Sequence, residues 1–175
     1  MKRDRVKRSC FDLLNHFYAE HNREVMAYAM FFTRNEDDAV DTLQDTFCMA
    51  HESLETGVEV DNPRAWLIKI ARNSMVRRKE RQNLEVKSWQ KHAEIHPLQN
   101  NFTPKALNGM LADSIATYVA SECTPNEQEL FVLRHFHEMN LADIAEVTGQ
   151  ATTNVHRVLN GITDRVQSRF SSLTG

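Results

Sequence analysis

The sequence predicts an all-α chain folded as two small helical domains joined by a linker. Apolar side chains recur every three or four residues along most of the 175 residues, the spacing of one helix face. No stretch of useful length alternates apolar and polar residues with the period of a strand. With only 5 Gly and 4 Pro, a turn-rich β-sandwich is disfavoured. A composition of 41% hydrophobic and 26% charged residues fits a soluble globular chain rather than a disordered one.

The first helical pattern carries Leu14, Phe17, Tyr18, His21, Val25, Tyr28, Ala29 and Phe32 on one face, as one helix or two abutting ones. Phe31 and Phe32 read as core. The next turns Ala39, Leu43, Phe47, Ala50 and Leu54 inward. Residues 55–62 break the pattern around Gly57 and read as a loop. Asn62 and Pro63 then suit a helix N-cap and first helical position. The helix they open buries Trp66 or Leu67, Ile70, Ala71, Ser74 and Met75, and continues through Arg81; Trp66 reads as a core anchor rather than a stacking platform.

Residues 83–103 lose clear periodicity and read as the linker, helical at most in the first half, between domains spanning 1–82 and 104–175. Thr103 and Pro104 open a helix with Leu107, Leu111, Ile115, Tyr118 and Val119 on one side. Thr124 with Glu127 three residues on is a capping box. Helices are expected at about 125–137, 141–148 and 153–170.

Charge is segregated. Residues 36–61 hold nine acids and no Lys or Arg, whereas residues 64–91 hold nine bases against Glu80 and Glu85. Asp38, Asp41, Asp45 and Glu52 recur at helical spacing as an acidic stripe. The basic block suits a phosphate backbone; the alternative is that the two blocks pair with each other as a surface ion network.

Residues 141–161 have helix-turn-helix grammar. Ala145 is small where two helices cross, and Gly149 permits a left-handed turn. Thr152 or Thr153 can cap the second helix, with Val155 and Leu159 anchoring it. Thr153, Asn154, His156, Arg157 and Asn160 would face a major groove. Thr148 and Gln150 are polar where this motif ordinarily buries apolar side chains. A plain helical hairpin satisfies the same pattern.

Two segments carry a resemblance to a known family. Asp38-Ala39-Val40-Asp41-Thr42-Leu43-Gln44-Asp45-Thr46-Phe47, followed by Trp66-Leu67-Ile68-Lys69-Ile70-Ala71-Arg72-Asn73 and a basic run, closely resembles region 2 of the extracytoplasmic-function (group IV) sigma factors of bacterial RNA polymerase. Residues 125–149, with the helical pattern after them, resemble region 4 of the same family. The resemblance implies that Asp38, Asp41, Gln44 and Asp45 dock on core RNA polymerase. Lys69, Arg72, Asn73, Arg77, Arg78, Lys79 and Arg81 would contact promoter DNA at the −10 element, with Asn73 and the loop at 54–62 receiving an extruded base. The helix at 153–161 would read the −35 element. Two departures stand out: the family has Asp where this chain has Arg77, and more bases where it has His156, Val158 and Gly161. Alternatives of other kinds are a sigma-like decoy that binds an anti-sigma factor and a stand-alone helix-turn-helix repressor.

No enzymatic chemistry, metal or cofactor is expected. There is no glycine-rich phosphate loop, no Ser-His-Asp grammar and no zinc-protease motif. His92 and His96 are four apart but lack an evident third ligand, and His135 and His137 diverge on a helix. Cys10, Cys48 and Cys123 each fall in an apolar helical pattern and read as small buried hydrophobes. The longest apolar run, Val25 to Phe32, is eight residues, far short of the roughly 20 that span a bilayer. The basic start leads into an amphipathic stretch rather than a secretory signal, so a cytoplasmic protein without membrane insertion is expected. Its expected partners are core RNA polymerase, promoter DNA and an anti-sigma factor.

Overall fold

The computed structural model describes residues 2–89 and 110–170, with side chains over 10–81 and 114–170. The described residues form seven α-helices and no strand. The chain divides into two compact units, Met1–Pro97 and Leu98–Gly175. His92, His96, Thr103, Pro104 and Leu107 lie outside the described residues.

The first unit packs α1 (Lys2–Thr33), α2 (Glu36–Glu55) and α3 (Pro63–Trp89) against one another. The early pattern is thus one helix, about 48 Å long at 1.5 Å per residue. It ends where Arg34 turns to φ 55° and Asn35 caps the next helix by accepting the Asp38 N–H at 3.2 Å. Glu36, Asp37 and Asp38 fill the first turn of α2, where carboxylates complement the helix dipole.

Phe17, Val25, Tyr28 and Ala29 form the buried face of α1. Tyr18 is exposed but meets Phe47 edge-on at 4.9 Å. Phe31 and Phe32 are half-buried rather than core; the two rings meet edge to face at 4.9 Å.

The interior side of α2 departs from expectation. Thr42 and Thr46 are fully buried, while Leu43 is only half-buried. The threonine hydroxyls donate back to the carbonyls of Asp38 and Thr42, at 2.7 and 2.6 Å. That bond satisfies the hydroxyl within the helix and leaves the methyl for packing. Cys48 is exposed, contrary to the expectation of burial, because it lies on the same outward stripe as Asp41, Asp45 and Glu52. Cys10 is half-buried, its thiol 3.4 Å from the Leu54 carbonyl, and Cys123 is buried.

Asn62 caps α3 by accepting the Ala65 N–H at 3.1 Å. The helix buries Ala65, Leu67, Ile68 and Ala71, so Ile68 replaces the expected Ile70 in the core. Ile70, Ser74 and Met75 are half-buried. Trp66, also half-buried, meets Phe17 edge-on at 6.4 Å.

The second unit contains α4 (Met110–Glu122), α5 (Pro125–His135), α6 (Leu141–Thr148) and α7 (Thr152–Phe170). Leu130, Leu133, Ile144, Val147, Val155, Leu159 and Ile162 make its core. The capping box of α5 forms as its sequence requires: Thr124 Oγ1 accepts the Glu127 N–H and Glu127 accepts the Thr124 N–H. Gln128 donates to the Ala120 and Cys123 carbonyls at 3.1 and 2.8 Å, occupying acceptors left open at the end of α4. Glu129 and His137 are buried as well.

Gly149 adopts φ 69°, and the Gln150 N–H reaches back to the Ala145 carbonyl at 3.1 Å. This is the left-handed helix stop that glycine permits. Thr148 enters the core with its hydroxyl bonded to the Ile144 carbonyl at 2.7 Å, so its polarity does no harm there. The cap of α7 differs from expectation. Thr152 is already helical, and Ala151, which has no side-chain oxygen, takes the cap position with its carbonyl accepting the Asn154 and Val155 N–H groups.

Candidate functional site

In the first unit, α2 and α3 are joined by residues 56–62, so the far part of α3 returns beside the start of α2. Leu67, Ala71, Ser74 and Arg78 form one stripe of α3 at steps of four, three and four. The stripe is apolar where it faces the core. Farther along, it meets the carboxylates of α2.

Arg78 Nη1 lies 3.3 Å from Asp38 Oδ1 and 3.8 Å from Asp41 Oδ2, and Nη2 lies 3.2 Å from Asp45 Oδ2. Ser74 Oγ donates to Asp45 at 3.3 Å. Arg78, expected among the DNA-facing bases, is therefore turned onto the acidic stripe. Its side chain is 28% exposed, against 48%, 63% and 51% for those of Asp38, Asp41 and Asp45. Pairs this wet contribute about 0.2–1 kcal/mol each, so the acids remain available to a stronger partner. Gln44 is exposed on the same helix.

Lys69, Asn73 and Arg77 recur at i, i+4 and i+8, which sets them along the outer side of α3, away from Leu67 and Ala71. Lys69 and Asn73 are half-buried and Arg77 is exposed. Arg72 and Lys79, seven apart, share a flank, and Arg81 is exposed on the other. The 56–62 connection is exposed apart from Val60, and Gly57 turns it at φ 87°. Arg64 lies against α1, its Nε 2.8 Å from Glu24 Oε2.

In the second unit, Val155, Leu159 and Ile162 hold α7 on the core and leave Thr153, His156, Arg157 and Asn160 exposed. Asn154 is half-buried. Asn160 and His156 lie 3.3 Å apart through Nδ2 and Nε2. Arg165 is committed to Glu127 on α5. Gln150 and Asn126, which no sequence pattern placed in a site, form a hydrogen-bonded chain with Asn154 and Arg157.

Residues 17–85 match the Sigma-70 region 2 family. The first unit is a sigma-70 region 2 domain. The chain is similar to RNA polymerase sigma factor SigV of Bacillus subtilis, at 24% identity over 139 residues covering 78% of each chain. It also shares its fold with the sigma factor RpoE of Bartonella quintana, solved in complex with the anti-sigma factor NepR. That superposition has a TM-score of 0.66 at 19% identity, covering 88% of this chain and 94% of the other. The region 2 domain contains both the acidic stripe and the outer line of α3. Among the described residues no cluster suited to a metal ion occurs, and no helix is long and apolar enough to cross a membrane.

Proposed function

We propose that the chain is an alternative sigma factor that binds core RNA polymerase and directs promoter recognition and opening. One observation carries this reading: the region 2 domain sets an acidic face on α2 beside a base- and amide-bearing outer line on the adjoining α3. Asp38, Asp41 and Asp45 offer carboxylates for arginines of the polymerase, which carboxylates hold bidentately, and Gln44 adds a neutral carboxamide beside them. Arg78 occupies part of this face in the free chain, so docking exchanges one guanidinium partner for another.

Lys69, Arg72, Arg77, Lys79 and Arg81 contact phosphates around the −10 element. Asn73, whose amide both donates and accepts, receives a base extruded toward the 54–62 loop. Residues 104–175, within the second unit, act as the region 4-like domain and place α7 at the −35 element. Arg157 is the one Lys or Arg among residues 152–161, so α7 relies on hydrogen-bonded readout more than on charge. Adding the purified chain to core polymerase on a genomic promoter library tests the proposal. Transcripts from a defined promoter set are expected, and none would appear from a protein that does not initiate.

A second reading is favoured by that same scarcity of charge on α7. A sigma-like decoy would bind an anti-sigma factor without initiating, and the resemblance to a chain solved with its anti-sigma factor supports such a partner under either reading. The decoy would bind the anti-sigma factor and yield no transcript in the same assay.

A further inference from the structure

We propose that Asn126, on α5 and outside the helix-turn-helix, is a positioning residue for guanine selection by Arg157, acting through Gln150 and Asn154. The proposal rests on reading α7 as the promoter-contacting helix. Gln150 Nε2 donates to Asn126 Oδ1 at 2.7 Å, Asn154 Nδ2 to Gln150 Oε1 at 2.8 Å, and Arg157 Nη2 to Asn154 Oδ1 at 2.7 Å. These bonds form one directed chain from the start of α5 to the exposed face of α7.

The direction is dictated by the cation at its end. A guanidinium has five N–H donors and no acceptor. Asn154 must therefore turn Oδ1 toward Arg157, which leaves only Nδ2 for Gln150. Gln150 must then present Oε1 to Asn154 and Nε2 to Asn126, so Asn126 has to accept. Each link is held by backbone that is itself fixed. Asn126 lies inside the capping box of Thr124 and Glu127, and Gln150 comes directly after the left-handed Gly149 with its N–H bonded to Ala145.

This arrangement divides the work of reading DNA between two side chains. Asn154 is half-buried and uses its carboxamide at both ends, so it positions Arg157 rather than contacting a base edge itself. Arg157 commits one N–H group and keeps its others, in a side chain already ordered before binding. The major-groove edge of guanine offers two acceptors, N7 and O6, which a pre-aligned guanidinium bridges. Ordering the side chain in advance lowers the entropy lost on contact.

The test uses the full chain assembled with core polymerase and a promoter library randomised across the upstream element. Arg157→Ala is expected to abolish a guanine preference at one position. Asn126→Ala is expected to weaken that same preference about three- to tenfold, leaving other positions and the thermal midpoint nearly unchanged. Asn126→Asp still accepts from Gln150 and should keep the preference. Asn154→Asp should keep it too, because Gln150 and Asn126 can reverse their amides. The double variant Asn126→Asp/Asn154→Asp sets the Gln150 carboxamide between two acceptors and should lose it. An intact guanine preference in Asn126→Ala, or a uniform loss across all library members, overturns the proposal. If wild type and Arg157→Ala give the same upstream profile, promoter reading by α7 has failed and the proposal falls with it.

Discussion

The two units hold an arginine against polar side chains in opposite ways. In the first, one guanidinium faces three carboxylates, Asp38, Asp41 and Asp45, and the cluster keeps a net negative charge. In the second, Arg157 ends a chain of neutral amides whose donors and acceptors match one to one. A cluster with surplus charge binds by attraction and is weakened by salt, since exposed charges are screened within about 10 Å at 0.1 M. A saturated neutral chain carries little attraction of its own but sets the direction of one side chain. The first suits capture of a large basic surface, and the second suits discrimination between bases.

The largest expected effect strikes the surplus charge. Asp41→Arg and Asp45→Arg each reverse a carboxylate and add a second cation beside Arg78. Affinity for core polymerase, measured by titration of labelled protein, should fall at least tenfold, or about 1.4 kcal/mol, while helicity measured by circular dichroism stays the same. Unchanged affinity in both would remove the docking assignment. A smaller loss is expected for Asn73→Ala combined with replacement of the 54–62 loop. Extruding a base costs a few kcal/mol of stacking, which its pocket must return. Strand opening read by permanganate footprinting should fall more than formation of the closed complex. Normal opening by the folded variant would end the base-capture role.

The sequence made the helices legible because each announces itself locally. Asn62 before Pro63, the Thr124–Glu127 box and Gly149 mark three boundaries through backbone chemistry that needs no tertiary context. The inner face of α2 was less legible. Thr42 and Thr46 look polar in composition, but their hydroxyls bond within the helix and their methyls enter the core. The pairing of Arg78 with Asp38, Asp41 and Asp45 matches the alternative in which the acidic and basic blocks meet each other, and its spacing from Leu67, Ala71 and Ser74 sets it on the inward stripe. Gln150 stood out as a polar residue at an apolar position. Its partner Asn126 lies 24 residues away, and no local pattern connects the two.

Arg78→Ala separates the two ways of holding an arginine. Removing Arg78 leaves three carboxylates repelling one another, and the first unit should lose about 1 kcal/mol or less, since these pairs are solvent-exposed. Core polymerase then meets an unoccupied acidic face, so its affinity should rise a few-fold at low salt, with a steeper salt dependence. Weaker binding by the folded variant would show that Arg78 orients the stripe rather than competing for it.

The smallest effect concerns the ion pair between Glu127 and Arg165 in the second unit. Burial alone would raise the Glu127 carboxyl, but the Thr124 N–H and hydroxyl and the Arg165 guanidinium outweigh it and hold it below the ordinary value of 4.5. A carboxyl depressed in the folded state binds fewer protons than in the unfolded chain, so stability rises with pH through that window. Its contribution is complete above about pH 4.5 and is lost as pH falls through the folded value. Glu127→Gln keeps a side chain able to close the capping box but cannot pair ionically with Arg165. At pH 7 the variant should unfold at lower denaturant concentration than the wild type, by under about 1 kcal/mol because Arg165 is well exposed. As the solution is acidified past the folded value, the two unfolding curves should converge. A gap that persists unchanged at acid pH would assign the loss to the cap rather than to the charge.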